Sequence, residues 1–240
     1  MRILAFETSA KAASAAILED GKLLCETYQN GGMTHSETLL AMAQQQLQSC
    51  HLTVEDIDAV AVAKGPGSFT GVRIGVAAAK GFAWGREIPL YGVSTLEAMA
   101  YAQSIFEGLI CPCMDARRNE TYTALFRSHR GEITRLREDR AIRVAELGED
   151  LKNFSEPILF VGDGAELCMK ALGGDSETYY LSPEHRRHQR ASGVALAAQK
   201  AMEAGDPGDG AALQPNYLRL SQAERERKQR LEAEAASERK

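Results

Sequence analysis

The chain has 240 residues, 44% hydrophobic and 25% charged, with a formal net charge of −5. That length holds one large domain or two small ones with a real core, and the acidic balance excludes a protein that grips nucleic acid over its whole surface, leaving RNA only a local patch or a partner's surface. No apolar stretch reaches the ~18 residues needed to cross a bilayer, and Met1 to Ser9 lack a secretory hydrophobic region.

The opening reads as a β-meander. Ile3 to Thr8 and Ala13 to Leu18 are apolar runs, and Lys22 to Tyr28 follows the turn Asp20-Gly21, where glycine supplies the positive φ of a tight hairpin. Gly31-Gly32 breaks the chain. Thr34 then N-caps a helix to about Ser49, with Glu37 completing a capping box and Leu39, Leu40, Ala43 and Leu47 on one face. Ile57 to Ala63 is a buried strand and Thr70 to Trp84 a second helix. Pro89 to Val93 is the next strand, and Ser94 caps a third helix to about Ser104. Near Gly108 the pattern restarts: strands Leu109 to Met114, Glu120 to Phe126 and Glu132 to Arg137, a helix near Val144 to Phe154, strand Ile158 to Val161, turn Gly162-Asp163-Gly164, and a helix Ser192 to Ala204. Two successive strands-then-helix halves point to an α/β protein of duplicated architecture. The expected division is 1–106, 107–220 and a charged tail over 221–240 that lacks an apolar stripe.

The five cysteines (Cys25, Cys50, Cys111, Cys113, Cys168) are odd in number and show no CxxC at zinc spacing. They are expected to be reduced and mostly buried thiols in a cytoplasmic protein. The sharpest local feature is the loop Gly65-Pro66-Gly67-Ser68-Phe69-Thr70-Gly71. A glycine-rich turn into a helix N-terminus can cradle an anion. It lacks the Gly-Lys-[Ser/Thr] ending of a P-loop, so a phosphate site and a tight structural turn both remain open. Gly71, Gly75 and Ala79 then recur at helical spacing and leave one helix face almost bare. Val72, Ile74, Val76 and Phe82 make the rest apolar, so this helix must be covered on both sides.

The run from Lys64 to Val76 resembles the TsaB family and its paralogue TsaD. Glu7-Thr8-Ser9, Gly92 to Glu97, Met114-Asp115-Ala116-Arg117, Phe160 to Gly164 and Pro215-Asn216-Tyr217-Leu218-Arg219 do so as well. The resemblance spans residues 7 to 219 and implies a two-lobed actin/Hsp70-like (ASKHA) fold. It further implies a non-catalytic subunit that binds and activates the TsaD transferase, together with the TsaE ATPase, in threonylcarbamoylation of tRNA adenosine 37. Contact with tRNA would be indirect, through the complex, and the chain alone would form a homodimer. No cofactor or metal is expected. TsaD-like chains carry two histidines four apart on the helix after the Gly-Val strand; here Thr95 and Met99 stand there, a hydroxyl and a thioether unsuited to a hard metal. Where TsaD-like chains continue with Cys and Asp after Glu-Thr-Ser, this one has Ala10 and Lys11.

The expected partner surface comprises Leu39, Met42, Gly71, Val72, Gly75, Val76 and Ala79. Thr8, Ser9, Gly65, Gly67, Gly162 and Gly164 are expected as vestiges of the nucleotide site. Arg186, Arg187 and Arg190 form the best basic patch for tRNA. Two competing classes are a small kinase or phosphatase of the same fold group and a peptidase. The kinase would need a glycine after the acidic residue of the first loop, which Glu7-Thr8-Ser9-Ala10 lacks. The peptidase lacks a His-Glu-x-x-His, and Ser68 has no sequence-evident triad partners.

Overall fold

The computed structural model describes residues 1–84, 86–173 and 177–219. The predicted tail at 221–240 lies outside the described residues.

The first sheet joins β1 (Arg2–Glu7), β2 (Ala13–Glu19), β3 (Lys22–Gln29), β4 (Ala59–Gly65) and β5 (Leu90–Ser94) in the order β3-β2-β1-β4-β5. The second joins β6 (Gly108–Asp115), β7 (Glu120–His129), β8 (Glu132–Arg143), β9 (Ile158–Val161) and β10 (Tyr179–Leu181) in the order β8-β7-β6-β9-β10. Each sheet is therefore an antiparallel meander of three strands extended by two parallel strands on the side of its first strand. This repeated topology is the two-lobed actin/Hsp70-like fold expected from the sequence. No internal sequence repeat announced it.

Central strands covered on both faces read as continuous apolar runs; Ile3, Leu4, Ala5 and Phe6 are all fully buried. The Asp20-Gly21 turn takes φ of 47° and 81°, the two positive values a tight hairpin requires. On one face of the first sheet lie α1 (His35–Ser49) and α2 (Phe69–Ala83). On its other face lie α3 (Thr95–Tyr101) and α7 (Ala191–Glu203). Helices α4 (Val144–Leu151) and α5 (Ala165–Ala171) cover one face of the second sheet. A single turn, α6 (Glu184–Arg187), precedes α7. Helix α3 is shared between the sheets: Ala98 packs toward the first, while Leu96, Met99 and Ala100 pack toward the second. The chain thus closes by returning α7 to the sheet on which it began.

Three sequence expectations need correction. Thr34 precedes α1 in extended backbone, but its side chain makes no capping bond; its carbonyl accepts the Glu37 N–H at 3.1 Å and the Thr38 hydroxyl at 3.2 Å instead. Leu40 does not share the inward face of Leu39, Ala43 and Leu47, being 55% exposed. The largest correction concerns α2. A Cβ on Gly71 would land on the Thr8 carbonyl oxygen, and one on Gly75 would lie 2.5 Å from Thr8 Oγ1 and 3.2 Å from Val62 Cγ2. The bare stripe therefore faces the end of β1. Gly71, Val72, Gly75, Val76 and Ala79, like Leu39 and Met42 of α1, are all buried against the chain's own first sheet and offer no surface to a partner in this arrangement.

Gly71→Ala should therefore destabilise the protein by about 3 kcal/mol, because even one methyl overpacks a rigid backbone contact. Gly75→Glu should give no folded monomer, since it adds bulk and an unpaired buried charge. Urea unfolding and circular dichroism check both; a Gly75→Glu protein with the wild-type spectrum and midpoint would contradict this packing.

Candidate functional site

A cleft of about 550 Å³ opens between the two sheets. Its first wall is the β1–β2 loop (Ser9, Ala10, Lys11) and the turn Pro66 to Thr70 that leads into α2. Its second wall is the end of β6 (Met114 to Arg117), Tyr122 and Asp163. Asn216 to Arg219 cross from one wall to the other.

The first wall is knit by backbone. Ser68 N donates to Ser9 O at 2.6 Å, Thr8 Oγ1 donates to Gly71 O at 2.8 Å, and a Cβ on Gly67 would collide with Ser9 O. His35 ties α1 to the same loop, its Nε2 donating to Ala10 O at 2.8 Å. Ser68 Oγ accepts the Gly71 N–H at 3.2 Å, capping α2, so the one serine that invited a hydrolase reading is engaged in holding a helix end. Of the two readings of the glycine loop, these contacts support the structural one. Gly65 meets the Asn216 carbonyl, as Gly67 meets Ser9, and both have positive φ, 111° and 156°, which glycine adopts freely.

The strap Asn216 to Arg219 follows a 3₁₀ turn (Gly210–Ala212). Asn216 N donates to Lys64 O at 2.6 Å. Tyr217 stacks on Phe69 at 4.5 Å between centroids, and Arg73 sits 3.8 Å from the Phe69 centroid while donating to Tyr217 OH at 2.8 Å. Arg219 then reaches the other wall, donating to Ala116 O at 2.7 Å and pairing with Glu120 at 2.6 Å.

The cleft floor is acidic at Asp163. Glu7 ends β1 fully buried behind Ser9; its Oε1 accepts the Ser9 N–H at 2.5 Å, while Oε2 finds no partner among the described residues. Burial pushes its carboxyl up to about 7, partly opposed by bonds from Ser9 and reinforced by Asp163. Desolvation pushes Asp163 up as well, against the 3.0 Å bond from Gln189 Nε2. Ser9 Oγ is another buried polar atom without a partner among the described residues. A charged residue closing the apolar run Ile3 to Phe6 was the available signal for Glu7. Beside this floor, Arg117, Arg118 and Asn119 take three consecutive positive φ values of 62°, 58° and 59°, an arrangement uncommon for non-glycine residues and concentrated at functional sites. Arg117 N donates to Asp115 Oδ1 at 2.7 Å, holding the carboxylate at the mouth.

Gly162 and Gly164 form the turn beneath the second wall. Gly162 N donates to Arg187 O at 2.7 Å and Gly164 N to Cys113 O at 2.9 Å. A Cβ on Gly162 would lie 3.2 Å from Met99 Sδ. Met99 is thus buried on α3 against this turn, 2% exposed, and Thr95 is fully buried at the start of the same helix. Among the described residues no group of three or more His, Cys, Asp or Glu is placed to hold a metal ion. The predicted basic patch is mostly consumed internally. Arg187 pairs with Glu166 at 3.2 Å and Glu184 at 3.0 Å, and Arg190 pairs with Glu26 at 3.3 Å and lies over the Tyr28 ring. Arg186 remains exposed.

The family model for TsaD, tRNA N6-adenosine threonylcarbamoyltransferase, matches residues 29–226. The tRNA threonylcarbamoyladenosine biosynthesis protein TsaB of Bacillus subtilis is 35% identical over 225 residues, which cover 93% of this chain and 96% of that protein. The chain belongs to the TsaB family. The TsaB protein of Escherichia coli K12 is 36% identical over 167 residues, 68% of this chain and 72% of that one. Among solved structures, an uncharacterised Pseudomonas aeruginosa protein described as similar to peptidase YeaZ superposes with a TM-score of 0.79 at 24% identity, covering 91% of this chain and 99% of its own; that likeness is one of fold. In this chain a C-terminal strap, Asn216 to Arg219, lies across the mouth of the cleft.

Glu7 makes stability depend on pH in a defined direction. Its folded carboxyl titrates near 7 against an ordinary value of 4.5, so the folded state holds a proton that the unfolded state has released. Stability should fall as pH rises from about 4.5 to 7, by on the order of 3 kcal/mol, and stay at that lower level above. Urea unfolding of Glu7→Gln beside wild type should show the gap between them shifting in favour of the variant by that amount between pH 4.5 and 8. A gap independent of pH would show that Glu7 is ionised throughout.

Proposed function

We propose that this chain is a non-catalytic subunit for N6-threonylcarbamoylation of tRNA adenosine 37, acting by binding and activating a TsaD transferase together with a TsaE ATPase. Its TsaB relatives are named for tRNA threonylcarbamoyladenosine biosynthesis, which supports the pathway. The non-catalytic role rests on one observation: where the resemblance places the transferase's histidine pair, Thr95 and Met99 are sealed in the core of α3. A buried thioether packed on Gly162 favours neither a hard metal nor access to it.

The partner surface moves to the other side of the helices first named for it. With the glycine stripe turned inward, α2 presents Thr70, Ala77, Gly81 and Trp84 outward, with Ile74 and Ala78 half-buried between them. Beside it α1, which packs on α2, presents Leu40 and Ala41, and Met33 precedes it. Trp84, Leu40 and Met33 are 83%, 55% and 54% exposed, an unusual concentration of apolar side chains for a free monomer. The two cations of α2 are drawn off this face, Arg73 to Tyr217 OH and Lys80 to the Ala211 carbonyl at 3.0 Å. Small residues at Ala77 and Gly81 let a partner helix come close. TsaD is the proposed occupant, with a second copy of this chain taking the place when TsaD is absent. Of the arginines proposed for tRNA, Arg186 alone keeps a free side to offer, so contact with tRNA is proposed to run through the complex, in the cytoplasm.

Ala77→Glu should fold and melt as wild type does, because position 77 faces solvent, yet bury an unpaired carboxylate in the complex. Capture of TsaD, measured by calorimetry, should weaken at least 100-fold, as a cost of about 3 kcal/mol or more requires, and tRNA modification in the reconstituted system should fall with it. A folded variant with unchanged affinity for TsaD would remove this face from the interface.

A further inference from the structure

The five cysteines fall into two groups. Cys111, Cys113 and Cys168 are fully buried in the core of the second sheet. Cys25 on β3 and Cys50 at the end of α1 are only half-buried, and their sulfurs lie 3.3 Å apart. Two local features bring them together. Where β2 pairs with β3 the register slips: Ile17 faces Cys25 but Leu18 faces Leu23, leaving Leu24 without an opposite residue. Such a bulge re-aims a side chain, and both Leu24 and Cys25 consequently pack toward α1. On the helix, Cys50 continues the inward row of Ala43, Gln46 and Leu47. The Gln46 amide donates across to the Ala15 carbonyl of β2, fixing the helix phase, and the Cys50 N–H is held by Gln46 O at 3.0 Å.

We propose that Cys25 and Cys50 are a thiol–disulfide modification site, closed by exchange with a small disulfide such as oxidised glutathione. The Cys50 thiolate attacks one sulfur of the small disulfide, expels one thiol and leaves Cys50 in a mixed disulfide. The Cys25 sulfur, after losing its proton, attacks the Cys50 sulfur and expels the second thiol. The protein loses two protons and two electrons, and the small disulfide takes up both as two thiols. The sulfurs must approach by about 1.2 Å to reach a bond of roughly 2.05 Å, and they sit on an edge strand and a helix end, which yield more readily than a sheet centre. Burial, with Cys50 beside it, pushes the Cys25 thiol up to about 12, so closure is slow at neutral pH and quickens as pH rises. The product links α1 to β3 through a loop that encloses the whole helix.

The test treats the reduced full-length protein with oxidised glutathione at pH 8.5, followed by peptide mapping without reductant. The expected product has lost two hydrogens, carries one Cys25–Cys50 cross-linked peptide, and melts roughly 5–10 °C higher, as closing a loop of this length requires. Dithiothreitol should reverse all three. Cys25→Ser, which keeps the wild-type melting point when reduced, should accept glutathione on Cys50 and go no further. A stable mixed disulfide on the wild-type protein, a link to Cys111, Cys113 or Cys168, or five free thiols after prolonged exposure would each overturn the proposal.

Discussion

The meeting of α2 with the end of β1 sets the geometry on which the rest of the molecule is arranged. Thr8 both donates its hydroxyl to Gly71 O and places its carbonyl where a side chain at position 71 would stand. Ser9 accepts from Ser68 and fills the space that Gly67 leaves. A helix can approach a strand end so closely only where Cβ atoms are missing, and two backbones then lock with little freedom to slide. The cleft wall, the cap on α2 and the phase of its exposed side all follow. With Gly71, Gly75 and Ala79 committed inward, the 3.6-residue repeat turns Ala77, Gly81 and Trp84 outward whatever else the chain does.

Much of the fold was legible because its signals are local. The period of the apolar runs, the Asp20-Gly21 turn with its two positive φ values and the serine cap at Ser94 are written in short segments. The duplicated architecture also followed from the strands-then-helix rhythm, without any repeated residues; the strand order came from the structure. What sequence could not give was direction. A stripe of small residues states that some backbone comes close and does not state whose, and that ambiguity placed the expected interface on residues that pack on β1. The arginines of the stretch 185–190 were misread in part for a related reason: Arg187 and Arg190 pair with Glu166 and Glu26, distant in sequence, while Arg186 stays exposed. Glu7 and the strap at 216–219 are likewise long-range, defined by what folds over them.

The cleft shows how glycines of a motif can be required by packing alone. The turn glycines at 162 and 164 remain necessary, since Cys113 O and the Asp115 backbone press on them, but that is a reason of packing and does not by itself require a nucleotide. The same pressure explains why Met99 suits its place: it supplies a flexible apolar chain against Gly162, the gap-filling for which methionine is well adapted. Glycine motifs can therefore persist for structural reasons while the residues that would bind or react give way, and motif resemblance alone overstates activity.

The strap completes this division of labour. Through Tyr217 it holds Arg73, and through the Ala211 carbonyl its approach holds Lys80; through Arg219 it grips the second wall at Ala116 and Glu120. One short segment therefore does two things at once. It joins the lobes across the cleft, and it engages both cations of α2 in hydrogen bonds. A charge left free on that face would have to be desolvated by any helix that docked there, at a cost comparable with the affinity gained. Tying the cations to the strap would lower that cost in advance, so under the proposed docking the same contacts that close the cleft also favour the surface.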